Sequence, residues 1–194
     1  MSGQAGERAA VSVVLLPDAG PLITLAYADS LDLLFAPGWA AQVVDMVWHG
    51  VTRHATPTSA RLAGWMRQHR LPALTTRTFE HHAKQVAEQS ATGLSPSSKA
   101  NLGELAMQEV MNGFALINPP TRGVFLFEDH RTARASFLLP ESCQKVSTRA
   151  FLLFLEQQGF IASAAEVQAR ALRAGREFSQ LRFPPAWWAY AAAC

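Results

Sequence analysis

Apolar and polar positions along this chain follow two rhythms, one suited to buried strands and one to helices with a single apolar face. Val11 to Leu16 is almost entirely aliphatic. A run that is apolar on both faces predicts a strand inside a parallel sheet. It stops at Pro17-Asp18-Ala19-Gly20-Pro21, a turn-rich stretch. Leu22 to Tyr27 predicts a short helix, and Ser30 an N-cap for another over Leu31 to Phe35. Gln42 to Val44 predicts a second short strand, and Val47 to His54 a helix weakened by Gly50. A helix from Thr58 to His69 puts Leu62, Trp65 and Met66 on one face. Pro72 closes it ahead of a candidate strand at Ala73 to Thr76.

Phe79 to Gln89 predicts a polar helix, followed by a loop over Ser90 to Ser98. Asn101 is placed to cap a helix that runs through Met111, and Asn118 to Gly123 forms a second loop. Val124 to Phe127 is another continuous apolar strand, ending at Glu128-Asp129. A helix over Arg131 to Leu138, a short strand over Gln144 to Val146 and an apolar helix over Thr148 to Gln158 come next. Gly159 ends that helix, Ser163 caps a last one over Ala164 to Ala174, and Gly175 ends it. Strands alternating with helices predict an α/β domain whose parallel sheet is covered on both faces. One domain is expected over residues 11–180, after a flexible N-terminus at 1–10 and before an aromatic tail at 181–194.

Composition adds limits rather than direction. The chain has 194 residues, 49% of them hydrophobic and 16% charged, with a net charge of +2, which is a globular balance. So small a charge makes no case for nucleic acid, and any phosphate-binding surface has to be local. Cys143 and Cys194 have neither a paired nor a metal-ligand spacing, and read as free thiols in a reducing compartment. No apolar leader opens the chain, and Val11 to Leu16 falls far short of the about 20 residues a bilayer needs. A cytoplasmic protein with no membrane partner is expected. Tail residues Trp187, Trp188 and Tyr190 are expected to dock on the domain or on a partner.

The candidate chemistry is acidic. Asp18 follows the first buried strand, and Glu128 and Asp129 follow another. Ligands of open α/β sheets bind beyond the carboxyl ends of strands. Acidic groups arriving there from separate strands suit a hard cation such as magnesium. Each residue also has a local reading. Asp18 suits a turn or N-cap, Asp129 an N-cap for the helix at Arg131, and Asn101 with Glu104 a capping box.

Four segments together resemble PIN-domain proteins, in particular a bacterial PIN-like branch. Pro17-Asp18-Ala19-Gly20-Pro21-Leu22-Ile23 is similar to their opening, and Asn101-Leu102-Gly103-Glu104 to a Gly-Glu helix start. Phe125-Leu126-Phe127-Glu128-Asp129-His130-Arg131-Thr132-Ala133-Arg134 resembles their strand, acidic pair and basic helix. Val146-Ser147-Thr148, the helix after it and Gly159-Phe160-Ile161 resemble the last turn, helix and terminal step. The likeness runs from about Val13 to Phe178. It implies a three-layer α/β/α PIN-like fold with a mostly parallel central sheet. It also implies a magnesium- or manganese-dependent endoribonuclease, with the VapC toxins of toxin–antitoxin pairs among its relatives. Under it, RNA, an antitoxin protein and a second copy of the chain are the partners. Asp18, Glu104 and Asp129 become metal ligands, Glu128 an auxiliary one, and Thr148 orients water or ligand. Arg131, Arg134, Arg149 and the remoter Arg53 become candidates for phosphate contact, with a solvated helix face as their plainer reading.

One departure stands out. These proteins carry a further acidic pair at the helix after the second strand. Here Asp45 matches the first acid and is added to the metal set, but His49 or Gly50 stands at the second. A catalytically degenerate PIN-like module that binds nucleic acid or protein is therefore the alternative. His81 and His82 lack the spacing of a helical metal pair and read as surface residues. A haloacid-dehalogenase or receiver-type phosphate enzyme would use Asp18 but needs a lysine after a later strand. No phosphate-binding glycine loop is present.

Overall fold

Four strands form one all-parallel sheet in the order β2-β1-β3-β4. They are β1 (Val13–Pro17), β2 (Ala40–Ala41), β3 (Arg122–Phe127) and β4 (Cys143–Ser147). The computed structural model describes residues 12–93, 101–117, 121–128 and 139–176. The expected N-terminal segment, the helix over Arg131 to Leu138, the aromatic tail and Cys194 lie outside the described residues, as do Asp129, Arg131 and Arg134. Seven α-helices are described: α1 (Ala19–Tyr27), α2 (Asp45–Thr52), α3 (Pro57–Gln68), α4 (Arg77–Ala91), α5 (Leu102–Phe114), α6 (Thr148–Gln157) and α7 (Ala164–Arg173). Leu31–Phe35 is a 3-10 helix. No described helix is long and apolar enough to cross a membrane.

The layers follow from strand alternation. Partners in a parallel ladder share a face, so Val14, Leu16, Gly123, Phe125, Phe127, Cys143, Lys145 and Ser147 look one way. Helix α5 covers this face. A Cβ at Gly123 would lie 2.7 Å from Cys143 Sγ and 3.1 Å from the Phe114 ring, so only glycine lets α5 seat this closely. Over the other face α7 packs against both α1 and α6. The result is a three-layer α/β/α fold. Leu15, Leu16, Phe125, Leu126, Met107, Met111, Phe151 and Leu152 are fully buried between the layers.

Local differences from the expected elements have physical causes. Helix α1 starts at Ala19 rather than Leu22, because Asp18 caps it and Pro21 needs no N–H donor in a first turn. Strand β2 is Ala40–Ala41 rather than Gln42 to Val44. Past Ala41 the chain turns from β1 to Leu74, whose N–H donates to Val43 O (2.8 Å) and whose carbonyl accepts from Asp45 N–H (2.9 Å). The candidate strand at Ala73 to Thr76 reduces to this one bridge. Asn101 takes φ +74° and makes no side-chain cap, so its half of the expected capping box is absent. Ser147 and Ser163 cap α6 and α7, and Gly159 and Gly175 end them at positive φ.

Helix α4 borrows a cap from α5. The Glu109 carboxylate accepts from Arg77 N–H (2.8 Å), Thr78 N–H (3.1 Å) and the Thr78 hydroxyl (3.0 Å). Burial pushes its pKa up, but these donors outweigh burial and hold it below the usual carboxylate range. A depressed carboxylate stabilises the fold above its unfolded pKa, and that gain is lost as pH falls through the folded value. Glu109→Ala is expected to cost about 1 kcal/mol at neutral pH. Urea melts at neutral and acidic pH check this: the gap between variant and wild type should shrink on acidification, and a constant gap would contradict it.

Candidate functional site

Strands β1 and β3 lie side by side, and the chain leaves them in opposite directions, β1 towards β2 and β3 towards β4. A crevice opens at the carboxyl ends of two such strands. Asp18 stands at this point. Its N–H donates to Leu126 O (2.9 Å), continuing the β1–β3 ladder by one step. Its Oδ1 accepts from Ala19 N–H (2.7 Å), the capping bond of α1.

Helix α5 brings its first turn to the same place. A Cβ on Gly103 would lie 4.0 Å from Asp18 Oδ1 and 3.9 Å from Val47 Cγ2. These are ordinary contact distances, so the first turn of α5 lies against the Asp18 carboxylate, and Glu104 follows directly. Glu104 also acts on Lys145, which alternation places on the α5 face of β4. Burial lowers the Lys145 pKa, while the Glu104 charge pulls it back up. Lys145 is the residue that sequence reasoning passed over. Its signal was a lone cation in a short strand.

Glu128 turns the other way. It is 6% exposed, and its oxygens accept from the buried Thr24 hydroxyl at 2.7 and 2.9 Å. Arg176 Nη2 donates to Glu128 Oε2 (3.3 Å), and Arg176 Nε to Thr24 Oγ1 (3.0 Å). A Cβ on Gly20 would lie 2.9 Å from Glu128 Cβ, so α1 closes tightly over it. Burial raises the Glu128 pKa against the opposing pull of Thr24 and Arg176. These contacts tie Glu128 to the α1 and α7 layer, on the far side of the sheet from Lys145 and α5.

Asp45 is buried and heavily engaged. Oδ1 accepts from Met46 N–H (2.7 Å) and the Thr76 hydroxyl (2.8 Å), and Oδ2 from Thr76 N–H (2.6 Å). Thr76 in turn caps α4 through Phe79 N–H (3.1 Å). The Thr148 hydroxyl donates to Phe127 O (3.2 Å), fixing the last residue of β3. Exposed His49 rests its ring against Phe79 and His82, with centroids at 5.5 and 5.8 Å. Partial burial, His82 and Arg53 lower its pKa. His81 is exposed, as are Arg53 and Arg149.

The structure thus brings Asp18 and the Glu104 turn together, with Lys145 within electrostatic reach of Glu104, and directs Glu128 and Asp45 into protein hydrogen bonds. Among the described residues no three of His, Cys, Asp and Glu group closely enough to hold a metal ion. The described carboxylates at the strand ends are hard oxygen donors, the kind that magnesium and manganese take. No family model, curated protein or solved structure matches this chain.

Proposed function

We propose that the chain is a divalent-metal-dependent endoribonuclease of the PIN-like kind, with Asp18, Glu104 and Asp129 as metal ligands. The observation that carries this reading is the approach of Gly103 to Asp18 at the point where β1 and β3 part. It brings the turn that carries Glu104 beside Asp18, where α/β sheets bind ligands. Magnesium or manganese, when bound, supplies a water of lowered pKa and polarises the phosphate. The protein's own part is to hold and orient. The Ala19 N–H and the β1–β3 ladder fix the Asp18 carboxylate. Thr148 fixes the end of β3, from which the chain continues to Asp129. Lys145 adds a cation next to Glu104, suited to the negative charge of a phosphodiester. Exposed Arg149 and Arg53, with Arg131 and Arg134, are the phosphate-contacting candidates. In this reading RNA is the substrate, the protein is a cytoplasmic toxin, and an antitoxin and a second copy are its partners.

Cleavage of structured and single-stranded RNAs with manganese, magnesium or EDTA tests the reading. Metal-dependent cleavage lost in Glu104→Gln supports it. Cleavage that persists in EDTA, or in that variant, contradicts it.

A second reading has its own observation. Three protein donors engage Asp45, and the position of the second helix acid falls at His49 or Gly50, neither of them acidic, with His49 packed on Phe79 and His82. Both favour a degenerate module that binds without cutting. Retention of RNA in a gel shift, with no manganese uptake by calorimetry, selects it.

A further inference from the structure

Three residues far apart in the chain meet under the end of β3. Thr24 lies on α1, Glu128 directly follows β3, and Arg176 follows α7. Thr24 is fully buried and Glu128 nearly so, with side-chain exposures of 7% for Glu128 and 26% for Arg176. The contacts form a closed triangle. Arg176 donates from Nε to Thr24 and from Nη2 to Glu128, while the Thr24 hydroxyl points at the carboxylate. Gly20 lets α1 close directly over this residue, because a Cβ there would meet Glu128 Cβ at 2.9 Å and Oε2 at 3.1 Å. A buried carboxylate held in this way is costly to move, since leaving the triangle means giving up charged hydrogen bonds.

We infer that Arg176 is a positioning residue: through Glu128 and Thr24 it fixes the chain where it leaves β3 towards Asp129. Glu128 is on this account a strut and not a ligand. The inference rests on the metal-binding reading of the site, and it adds a residue outside the four segments that carry the family resemblance. Arg176 reaches the strut with two different nitrogens, which a lysine ammonium does not reproduce.

Calorimetric titration of manganese into the full chain, with thermal melts of the metal-free proteins, tests the role. Wild type, Arg176→Ala, Glu128→Gln and the double variant are compared. A strut that orients a ligand predicts about tenfold weaker manganese binding in each single variant. The double variant should be no weaker than the worse single one, because both break the same triangle. Simple charge removal predicts the opposite for Arg176→Ala, since taking a cation away favours a bound cation. Unchanged or tighter binding in Arg176→Ala, beside a loss in Glu128→Gln, would make Glu128 a ligand and overturn the inference. Lower melting temperatures with unchanged manganese affinity would leave the triangle structural only, and also overturn it. Arg176→Lys covers the case in which the alanine variant does not fold, with weakened binding again expected. No manganese uptake by wild type is a different result: it removes the metal reading itself, and the positioning role with it.

Discussion

Asp18→Asn is expected to weaken manganese binding by about a hundredfold or more, since losing a proposed ligand's charge should cost at least as much as losing a group that merely orients a ligand. RNA cleavage should fall with it. The substitution is clean because it removes charge and little else. Asparagine caps helices as well as aspartate does, and its carbonyl can still accept from Ala19 N–H. The ladder bond from residue 18 to Leu126 O is a backbone bond and survives. Melting temperature should therefore stay close to wild type while calorimetry loses the manganese isotherm. An intact isotherm in a folded variant would remove Asp18 from the ligand set. Lost binding together with lost folding would instead assign Asp18 to the capping of α1.

Asp45→Ala is expected to destabilise the fold by about 3 kcal/mol, because a buried carboxylate with three donors disappears and Thr76 N–H loses its acceptor. That is a large share of the roughly 5–15 kcal/mol that holds a domain together. The loss should spread to α4, since Thr76 both caps this helix and leans on Asp45. Asp45→Asn should recover only part of it: one side-chain oxygen remains, and the amide hydrogens replace the other acceptor. Urea denaturation measures the loss. Manganese affinity of the folded variant decides the role: no change means Asp45 only braces the helix starts, and a loss at near-native stability restores it as a ligand.

The sheet was largely legible in the sequence. Buried parallel strands need apolar side chains on both faces, and Val13 to Leu16 and Val124 to Phe127 say so directly. Helix ends at Gly159 and Gly175 were legible for the same reason, because few residues other than glycine take those φ values easily. Strand β2 was not. Two alanines carry no hydrophobic run, and their place is set by pairing with Val14 and Leu15. At the site, Asp18 announced itself as an acid after a strand. Lys145 did not, because what gives it meaning is a neighbour on another element, Glu104. Thr24 and Arg176 were beyond local pattern altogether, meeting across 152 residues of chain. The turning-away of Glu128 was half readable. Alternation along β3 sends Glu128 to the face opposite Phe127 and Ser147, away from α5.

The pairing of β1 with β3 has a consequence in time. Ser12 and Thr121, beside the first rung, are 109 residues apart. During synthesis at about 5–20 residues per second, β1 waits on the order of ten seconds for its main partner. Until then it has only the two-residue β2 to pair with. A long-lived apolar strand with an open edge is what chaperones hold and what aggregates capture. Pairing of Asp18 with the end of β3 is thus a late event, and a ribosome-bound chain lacking β3 has not yet assembled the candidate site.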